Sequence, residues 1–277
     1  MKHLTLNKFE SLDTGSRESY LRDIEEALEG SYRLEDVGKS SLRLPLYKQA
    51  ENGLKFRLVL GGEFTMGLSA REEKAARAIA DPPPFDPSVM RPTKRVSVGP
   101  FLMSVSPLLV SSARSLVEKN RLSPYLRMLP ENPNAPIYVD RESALAIARA
   151  LGCRLPYEAE WEYACRASTQ TLFAWGDELP PEKELGEWLD FGLSPQQWRQ
   201  NQFGLHLLFT GDWCMDSWSS SHEGSTSTDG DFVIKGGGSI FWPWQDQEWI
   251  WCMPAMRSPS SGLGENGCSF RLVKGLR

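Results

Sequence analysis

The chain has few of the residues that usually hold metals or form covalent cross-links. It contains three histidines and five cysteines in 277 residues, and no Cys-x-x-Cys spacing occurs. An odd number of unclustered cysteines indicates neither a disulfide framework nor a zinc ribbon. We therefore expect most of these thiols to be reduced and buried as small hydrophobic side chains. They are Cys153, Cys165, Cys214, Cys252 and Cys268.

Long apolar runs and an excess of positive charge are also lacking. No stretch reaches the ~18 apolar residues that a membrane span needs, and the N-terminus lacks the apolar core of a secretory signal. The sequence therefore predicts a cytoplasmic protein with no membrane partner. A net charge of −5 with scattered lysines and arginines argues against a nucleic-acid partner. With 40% hydrophobic residues, the chain can still bury a sizeable core.

Apolar spacing predicts several helices. The first covers residues 11–30, and the second covers residues 108–119. Asp140 is a good N-cap for a third helix, which Gly152 ends. A fourth helix is predicted to begin at Pro156, since proline is favoured at the first helical position.

Acidic residues in the second half of the chain suggest no catalytic pair. We interpret Glu158, Glu160 and Glu162 as solvated carboxylates on a helix face rather than as an acid–base pair. Asp212 and Asp216 are interpreted as hydrogen-bonding groups of turns rather than metal ligands. The sequence therefore predicts no catalytic residue among them.

Six sequence blocks occur in the order of a known family. Residues 154–167 read Arg-Leu-Pro-Tyr-Glu-Ala-Glu-Trp-Glu-Tyr-Ala-Cys-Arg-Ala, which closely resembles a signature of the formylglycine-generating enzymes, also called sulfatase-modifying factors. The other blocks that resemble this family are residues 60–67, 92–98, 203–213, 233–239 and 268–273. In the family's order, the resemblance they carry extends over roughly residues 54 to 273.

The resemblance implies a fold class and a domain division. The implied fold is α+β and C-type-lectin-like, loop-rich, with short antiparallel strands and a few helices. Residues 51–277 are predicted to form the formylglycine-generating-enzyme-like domain. Residues 1–50 are predicted to form an N-terminal helical extension that packs on this domain.

The resemblance also implies a copper site, which the sequence does not support. The family's two copper-binding cysteines correspond to the third and eighth residues after Ser239, which are Trp242 and Gln247 in this chain. Neither side chain supplies the thiolate that Cu(I) requires. Cys252 is the one thiol that the sequence places between Ser239 and Cys268. Catalytic residues of the family's kind are therefore not predicted.

A calcium site is the second metal centre that the resemblance implies. Its Asn or Asp and its Glu correspond to Leu207 and Cys214 in this chain. A calcium ion takes six to eight oxygen ligands, and these two side chains offer none. We therefore expect no metal ligand and no cofactor, with copper and calcium as the alternatives.

Tryptophan is the residue type that stands out in the C-terminal half. Six of the ten tryptophans, at positions 213, 218, 242, 244, 249 and 251, lie in the region that would surround the family's substrate cleft. Either most of them are core, or some line a groove, since an indole ring can hold a ring, a cation or an extended peptide. On the second interpretation the ligand-binding residues are Trp213, Ser239, Trp242, Trp244, Asp246, Gln247 and Arg257.

These observations favour a binding function over an enzymatic one. The favoured hypothesis is a non-catalytic module that binds a small molecule, a peptide or a protein in the lectin-like cleft. The closing block at 268–273 also resembles the end of the ligand-binding proteins of diversity-generating retroelements, an analogy at the level of the fold. The alternative is a non-standard oxidoreductase that modifies a peptide or a small metabolite.

Overall fold

The structure is a computed structural model of the chain. It describes residues 4–37, 44–81, 83, 85–120, 129–181, 183–184, 187, 197–222, 231–237, 248–262 and 268–276. In chain order the strands are β1 (Tyr32–Asp36), β2 (Leu46–Gln49), β3 (Lys55–Val59), β4 (Gly62–Met66), β5 (Lys94–Val98), β6 (Phe101–Ser104), β7 (Asp212–Ser217), β8 (Phe232–Lys235), β9 (Arg257–Ser260) and β10 (Val273–Gly275). The helices are α1 (Leu6–Glu10), α2 (Thr14–Ala27), α3 (Ala70–Ile79), α4 (Val110–Asn120), α5 (Arg141–Ala150) and α6 (Glu158–Arg166).

The strands form three antiparallel sheets. The main sheet has the order β1-β2-β3-β6-β10, so its last strand comes from the C-terminus and pairs with β6. A hairpin of β4 and β5 forms the second sheet, and β7, β8 and β9 form the third. Strands β4 and β5 lie within the blocks at residues 60–67 and 92–98 that resemble the family.

The N-terminal helix predicted at residues 11–30 is confirmed as α2. Asp13 caps it by accepting a hydrogen bond from a backbone N–H of the first turn at 2.9 Å. Leu21 and Ile24 on its inner face are fully buried. The helix is therefore part of the core of the molecule.

The description of residues 1–50 as a helical extension needs correction. Strands β1 and β2 lie within this stretch, and β2 pairs with β3, which lies beyond residue 51. The side chains of Tyr47 and Gln49 point inward from β2, whereas Lys48 is exposed. These strands of four and five residues are too short to show a clear period in the sequence.

The predicted central helices are present, with one shifted start. Helix α4 confirms the helix predicted at residues 108–119, and Asp140 caps α5 through the Ser143 N–H at 2.8 Å. Helix α6 begins at Glu158 rather than at Pro156, because Tyr157 is extended and acts as its N-cap. The Pro156 carbonyl instead accepts a hydrogen bond from the Met215 N–H of β7 at 2.9 Å.

Two groups of buried apolar side chains form the core. The larger contains side chains of the main sheet and of helices α2, α5 and α6, among them the buried Tyr47, Phe56 and Trp161. The second surrounds Trp249 and Phe173 in the loop-rich part of the chain. All five cysteines are free and buried, which confirms the expectation drawn from their spacing.

The architecture confirms the predicted fold class, a mixture of helices and short antiparallel strands joined by long loops. Within the part of the chain that the structure describes, no helix has the length and apolar character needed to cross a membrane.

Candidate functional site

Helix α6 carries charged groups into the interior. Glu158, Glu162 and Arg166 are spaced four residues apart and therefore share one face of the helix. They are 6%, 0% and 3% exposed. The interpretation of Glu158 and Glu162 as solvated carboxylates is therefore wrong. Glu160 lies on another face and forms a bidentate ion pair with Arg154, with both N···O distances at 2.6 Å.

Glu162 is the centre of a buried ion-pair network. One carboxylate oxygen accepts hydrogen bonds from the Gly67 N–H at 2.8 Å and from Arg166 Nε at 2.9 Å. The other accepts from Lys235 Nζ at 2.9 Å. Burial raises the pKa of Glu162, but the charges of Lys235 and Arg166 outweigh it and hold the pKa below its usual range. Arg166 also donates to Glu72 at 2.6 Å.

Glu158 extends the network to strand β9. Its Oε1 lies 2.8 Å from Arg257 Nε, 3.7 Å from Lys235 Nζ and 3.8 Å from His222 Nε2. Burial raises the pKa of Glu158, but the His222 ring and the charges of Lys235 and Arg257 together lower it to about 2. Glu158 is therefore ionised at neutral pH. We call Glu72, Glu158, Glu162, Arg166, His222, Lys235 and Arg257 the ionic cluster.

Arg257 is a component of this network and not an anchor in an open groove. Its guanidinium donates to the carbonyls of Val89 at 3.2 Å and Ser219 at 2.8 Å. It also packs over the Trp218 ring at 4.5 Å. The side chain is 3% exposed, so the expectation that Arg257 is directed towards a ligand cleft is corrected.

Lys235 of the ionic cluster joins the two described stretches on either side of residues 238–247, the part of the sequence that contains most of the predicted ligand-binding residues. Lys235 lies three residues before this segment, and its Nζ donates to the carbonyl of Ala255, beyond the segment's other end, at 3.3 Å. Gly236 has φ +85°, and a Cβ there would lie 2.7 Å from the Trp161 ring. A side chain at position 236 would therefore clash with the Trp161 ring, so the chain is tightly packed there.

A second group of side chains, the aromatic cluster, lies in and around the second core. It consists of Phe85, Phe173, Trp175, Phe209, Trp249 and Trp251. Trp249 is 1% exposed, and Trp175 and Phe209 contact it edge-on with ring centroids 6.0 and 5.9 Å away. Trp175 also stacks on Phe173 at 4.9 Å. Phe85, Trp175 and Trp251 are half-buried and form the accessible side of the cluster.

The structure places two of the predicted ligand-binding residues in the interior. Trp213 is 2% exposed, and its indole N–H donates to the Val139 carbonyl at 2.9 Å. Trp213 therefore lies in the core, in agreement with the first interpretation of the tryptophans. Arg257 is the second buried residue, and its role is structural. The other predicted residues, Ser239, Trp242, Trp244, Asp246 and Gln247, lie outside the described residues.

The thiols of this region do not fit a copper site. Burial raises the pKa of Cys252, and the neighbouring Cys165 raises it further. Burial also raises the pKa of Cys165, to about 12. Both side chains are 0% exposed. A soft Cu(I) ion needs accessible thiolates, and these groups are protonated thiols at neutral pH.

The loop that corresponds to the family's calcium site is closed by an arginine. Leu207 and Cys214 are buried, and the carbonyl oxygens of His206 and Leu207 accept hydrogen bonds from Arg271 at 2.6 and 2.7 Å. The same guanidinium pairs with Asp212 at 2.7 Å. A cation already satisfies these oxygens, so the residues do not fit calcium. Within the described ranges, no group of three His, Cys, Asp or Glu side chains could hold a metal ion.

The ionic cluster is the part of the site that sequence reasoning missed. The spacing of Glu158, Glu162 and Arg166 could have indicated these ion pairs. The three side chains share one helix face with the apolar Cys165, and charged groups on a buried face are expected to be paired rather than solvated. Lys235 and His222 gave no such signal, since each is isolated in the sequence. Their pairing depends on how β8 and the loop before residue 223 meet α6.

Comparisons with known proteins reveal related sequences. A family model described as a sulfatase-modifying factor enzyme 1-like domain matches residues 45–276. The formylglycine-generating enzyme of Thermomonospora curvata is 31% identical over 118 residues, covering 36% of this chain and 39% of that protein. The Mus musculus formylglycine-generating enzyme is 30% identical over 143 residues, covering 40% of this chain and 38% of that protein. The chain thus matches less than half of the length of either relative.

Solved structures show the same fold at low identity. PvdO from Pseudomonas aeruginosa has a TM-score of 0.59 at 18% identity, covering 82% of this chain and 97% of that chain. Treponema denticola variable protein 1 has a TM-score of 0.53 at 15% identity, covering 87% and 98%. These likenesses show the fold alone, and they confirm the α+β fold that the sequence resemblance implied.

Proposed function

This chain belongs to the formylglycine-generating enzyme family, and we propose that it uses the family scaffold as a ligand-binding module without copper chemistry. The observation that carries the proposal is the state of Cys252. This thiol is fully buried in the second core, and burial keeps its pKa above the usual range. It can therefore act neither as an exposed nucleophile nor as a ready thiolate ligand.

The sequence supports the same conclusion at the positions of the family's cysteines. Trp242 and Gln247 stand there, and an indole and an amide cannot replace two thiolates. The chain retains the family's fold without these two cysteines. We therefore infer a function that depends on the shape and the contact surface of the fold rather than on copper.

The aromatic cluster is the surface that we propose for binding. Its half-buried rings, Phe85, Trp175 and Trp251, pack against the buried side chains of the second core. Such rings offer a large contact area and lose little conformational entropy on binding. The ionic cluster supports this surface by fixing the chain on both sides of residues 238–247. The ligand class is a small molecule, a peptide or a protein segment.

The binding proposal can be tested with a displayed library of short peptides. We expect peptides that are enriched on the wild-type protein to lose binding to the Trp175→Ala, Trp251→Ala double variant. Tyr138→Ala is the matched control, because Tyr138 is a large aromatic side chain that is 40% exposed and lies outside the aromatic cluster. Equal loss in the control, or no loss in the double variant, contradicts the proposed surface.

The alternative function is oxidation of a peptide or a small metabolite. The matched curated relatives are named as enzymes, which favours this alternative. We expect no oxygen uptake when the protein, equimolar copper and a Cys-x-Pro-x-Arg peptide are combined in an oxygen electrode. Copper-dependent uptake that Cys252→Ser abolishes would establish an oxidoreductase and overturn the binding proposal.

A further inference from the structure

A polar cavity lies beside the main sheet, and no member of the aromatic cluster is among the described residues that line it. Its volume is about 380 Å³, which is within the size range of small-molecule sites. Strand β3 contributes Lys55 and Arg57, which are two residues apart and therefore share one face of the strand. The start of α4 contributes Ser111 and Ser112. The cavity is thus a second place where this chain could hold a ligand.

The formal charges in the cavity lining have one sign. Lys55 and Arg57 line it, and none of the described lining residues is an aspartate or a glutamate. Lys55 lies 3.6 Å from Glu35, but both side chains are partly exposed, and such surface pairs contribute little. A concave site lined by charge of one sign attracts ions of the opposite sign. The lining therefore favours an anionic ligand.

Arg57 is the cation whose position is fixed. It is 6% exposed, and its Nη1 donates to the Leu44 carbonyl at 2.7 Å. Gly204 has φ +77°, and a Cβ there would lie 2.8 Å from Arg57 Nε, so the guanidinium packs directly on the glycine backbone. Asn201 holds this loop, because its side-chain oxygen accepts from two N–H groups of the loop at 3.1 and 3.0 Å. A ligand anion would therefore meet a guanidinium that is charged and already in place.

Hydroxyl groups decide which anion the cavity suits. The side chains of Ser106, Ser111 and Ser112 line it together with Arg57. The first two N–H groups of α4 donate to carbonyls within residues 133–135 at 2.9 Å each, so side chains rather than the helix end would hold the anion. A phosphate group offers three acceptor oxygens and a carboxylate offers two. Three hydroxyls and a guanidinium therefore suit a phosphate better.

The remaining wall of the cavity is apolar. Leu46 lies opposite Arg57 in the register of β2 and β3 and lines the cavity. Leu54, Leu108 and Leu272 also line it. A ligand that fills this space therefore combines one anionic group with an apolar body.

We propose that this cavity binds a small organic phosphate, a phosphomonoester with an apolar body, whose phosphate oxygens accept hydrogen bonds from Arg57 and from the serine hydroxyls. The apolar body packs against the leucines of the opposite wall. This site is separate from the aromatic cluster, so the inference goes beyond the proposed function and does not depend on it.

The ligand class can be tested by calorimetric titration with phenyl phosphate as the probe. Benzyl alcohol has a similar ring and no charge, and benzoate has a planar anionic group in place of the phosphate. We expect phenyl phosphate to bind and each of the other two compounds to bind about tenfold more weakly or less. No binding of phenyl phosphate, or equal binding of benzyl alcohol, overturns the inference. Equal binding of benzoate overturns the assignment of a phosphate.

The place of binding can be tested with Ser112→Glu. This substitution puts a carboxylate into the cavity lining, and an acidic side chain in the first turn of a helix is compatible with folding. Affinity for phenyl phosphate should fall about tenfold or more because of the repulsion between like charges. Ser31→Glu is the matched control, since it makes the same change of charge at an exposed serine that does not line the cavity. Its affinity should equal that of the wild type.

Arg57→Gln removes the fixed cation and should also lose phenyl phosphate, with circular dichroism and the thermal midpoint as checks of folding. If Ser112→Glu binds phenyl phosphate as well as the wild type, the inference is overturned whatever Arg57→Gln does. A crystal structure of the wild-type complex gives a measurement that needs no variant. We expect the phosphate within hydrogen-bond distance of Arg57, and a phosphate bound elsewhere would contradict the assigned site.

Discussion

Glu162 is a carboxylate with no exposed surface, and its charge is stabilised by its neighbours alone. It accepts hydrogen bonds from Gly67, Arg166 and Lys235. The transfer of a charge from water into a protein interior is expensive, and only close partners of opposite charge offset the cost. Removal of one partner leaves the others buried without compensation. Individual residues of the ionic cluster therefore depend on one another.

The first prediction concerns the Glu162→Gln substitution. The side chain keeps its size but loses its charge, so Lys235 and Arg166 remain buried with too little negative charge. We expect the free energy of unfolding, measured by urea denaturation, to fall by about 3 kcal/mol or more. Glu63→Gln is the matched control, because Glu63 pairs with Arg95 at the surface with a 63% exposed side chain. A fall of similar size in both variants would show that burial of the charge is not the cause.

The second prediction concerns pH and Glu158. The pKa of Glu158 is about 2 in the folded protein and 4.5 without the fold. Because the folded-state pKa is the lower one, its contribution to stability is fully present above pH 4.5 and is lost as the pH falls towards 2. That contribution is roughly 3 kcal/mol. The stability difference between wild type and Glu158→Gln should therefore shrink over this window, and a constant difference would contradict the assigned pKa.

At the scale of elements, the N-terminal segments pack against the family scaffold and pair with it. Helix α2 buries Leu21 and Ile24 in the larger core, and the Leu21 carbonyl accepts a hydrogen bond from the Tyr47 hydroxyl at 2.9 Å. Strand β2 in turn pairs with β3. Helix and sheet are thus joined by apolar contacts and by a buried hydrogen bond.

The third prediction follows from this packing. Ile24→Ala creates a cavity between α2 and the main sheet and should cost about 2–5 kcal/mol. Thermal unfolding followed by circular dichroism should show one transition at a lower midpoint. Glu26→Ala changes an exposed residue of the same helix and should leave the midpoint nearly unchanged. Two separate transitions in Ile24→Ala would show that the N-terminal segments form an independent unit.

Elements with strong local signals were predictable, whereas those defined by distant contacts were not. Asp140 and the helical spacing of the apolar residues after it predicted α5 and its N-cap. The start of α6 was placed two residues too early, because the Pro156 carbonyl is taken by Met215 of β7. The burial of Glu158 and of Arg257 depends on residues 99 positions apart in the chain. Such pairings have no local signature.

At the scale of the whole molecule, buried cationic side chains connect elements that lie far apart in the sequence. The ionic cluster links α6, β8 and β9, and Arg271 links the loop at 204–212 to the C-terminal segment. Both groups are buried and have balanced charges. The loop-rich half of the chain is therefore held by guanidinium and ammonium groups that are part of the polypeptide.

The fourth prediction tests this arrangement with calcium and a chelator. Since the carbonyls of His206 and Leu207 already accept from Arg271, neither added calcium nor a chelator should shift the thermal midpoint beyond measurement scatter. An occupied site at a 100-fold excess of ligand over its Kd would add about 2.7 kcal/mol, which is a shift of several degrees and easily measured. Arg271→Ala should by contrast lower the midpoint with or without calcium, because Asp212 is then left buried without its partner. A drop in the wild-type midpoint on chelation would mean that other oxygens form a calcium site and that Arg271 does not replace the ion.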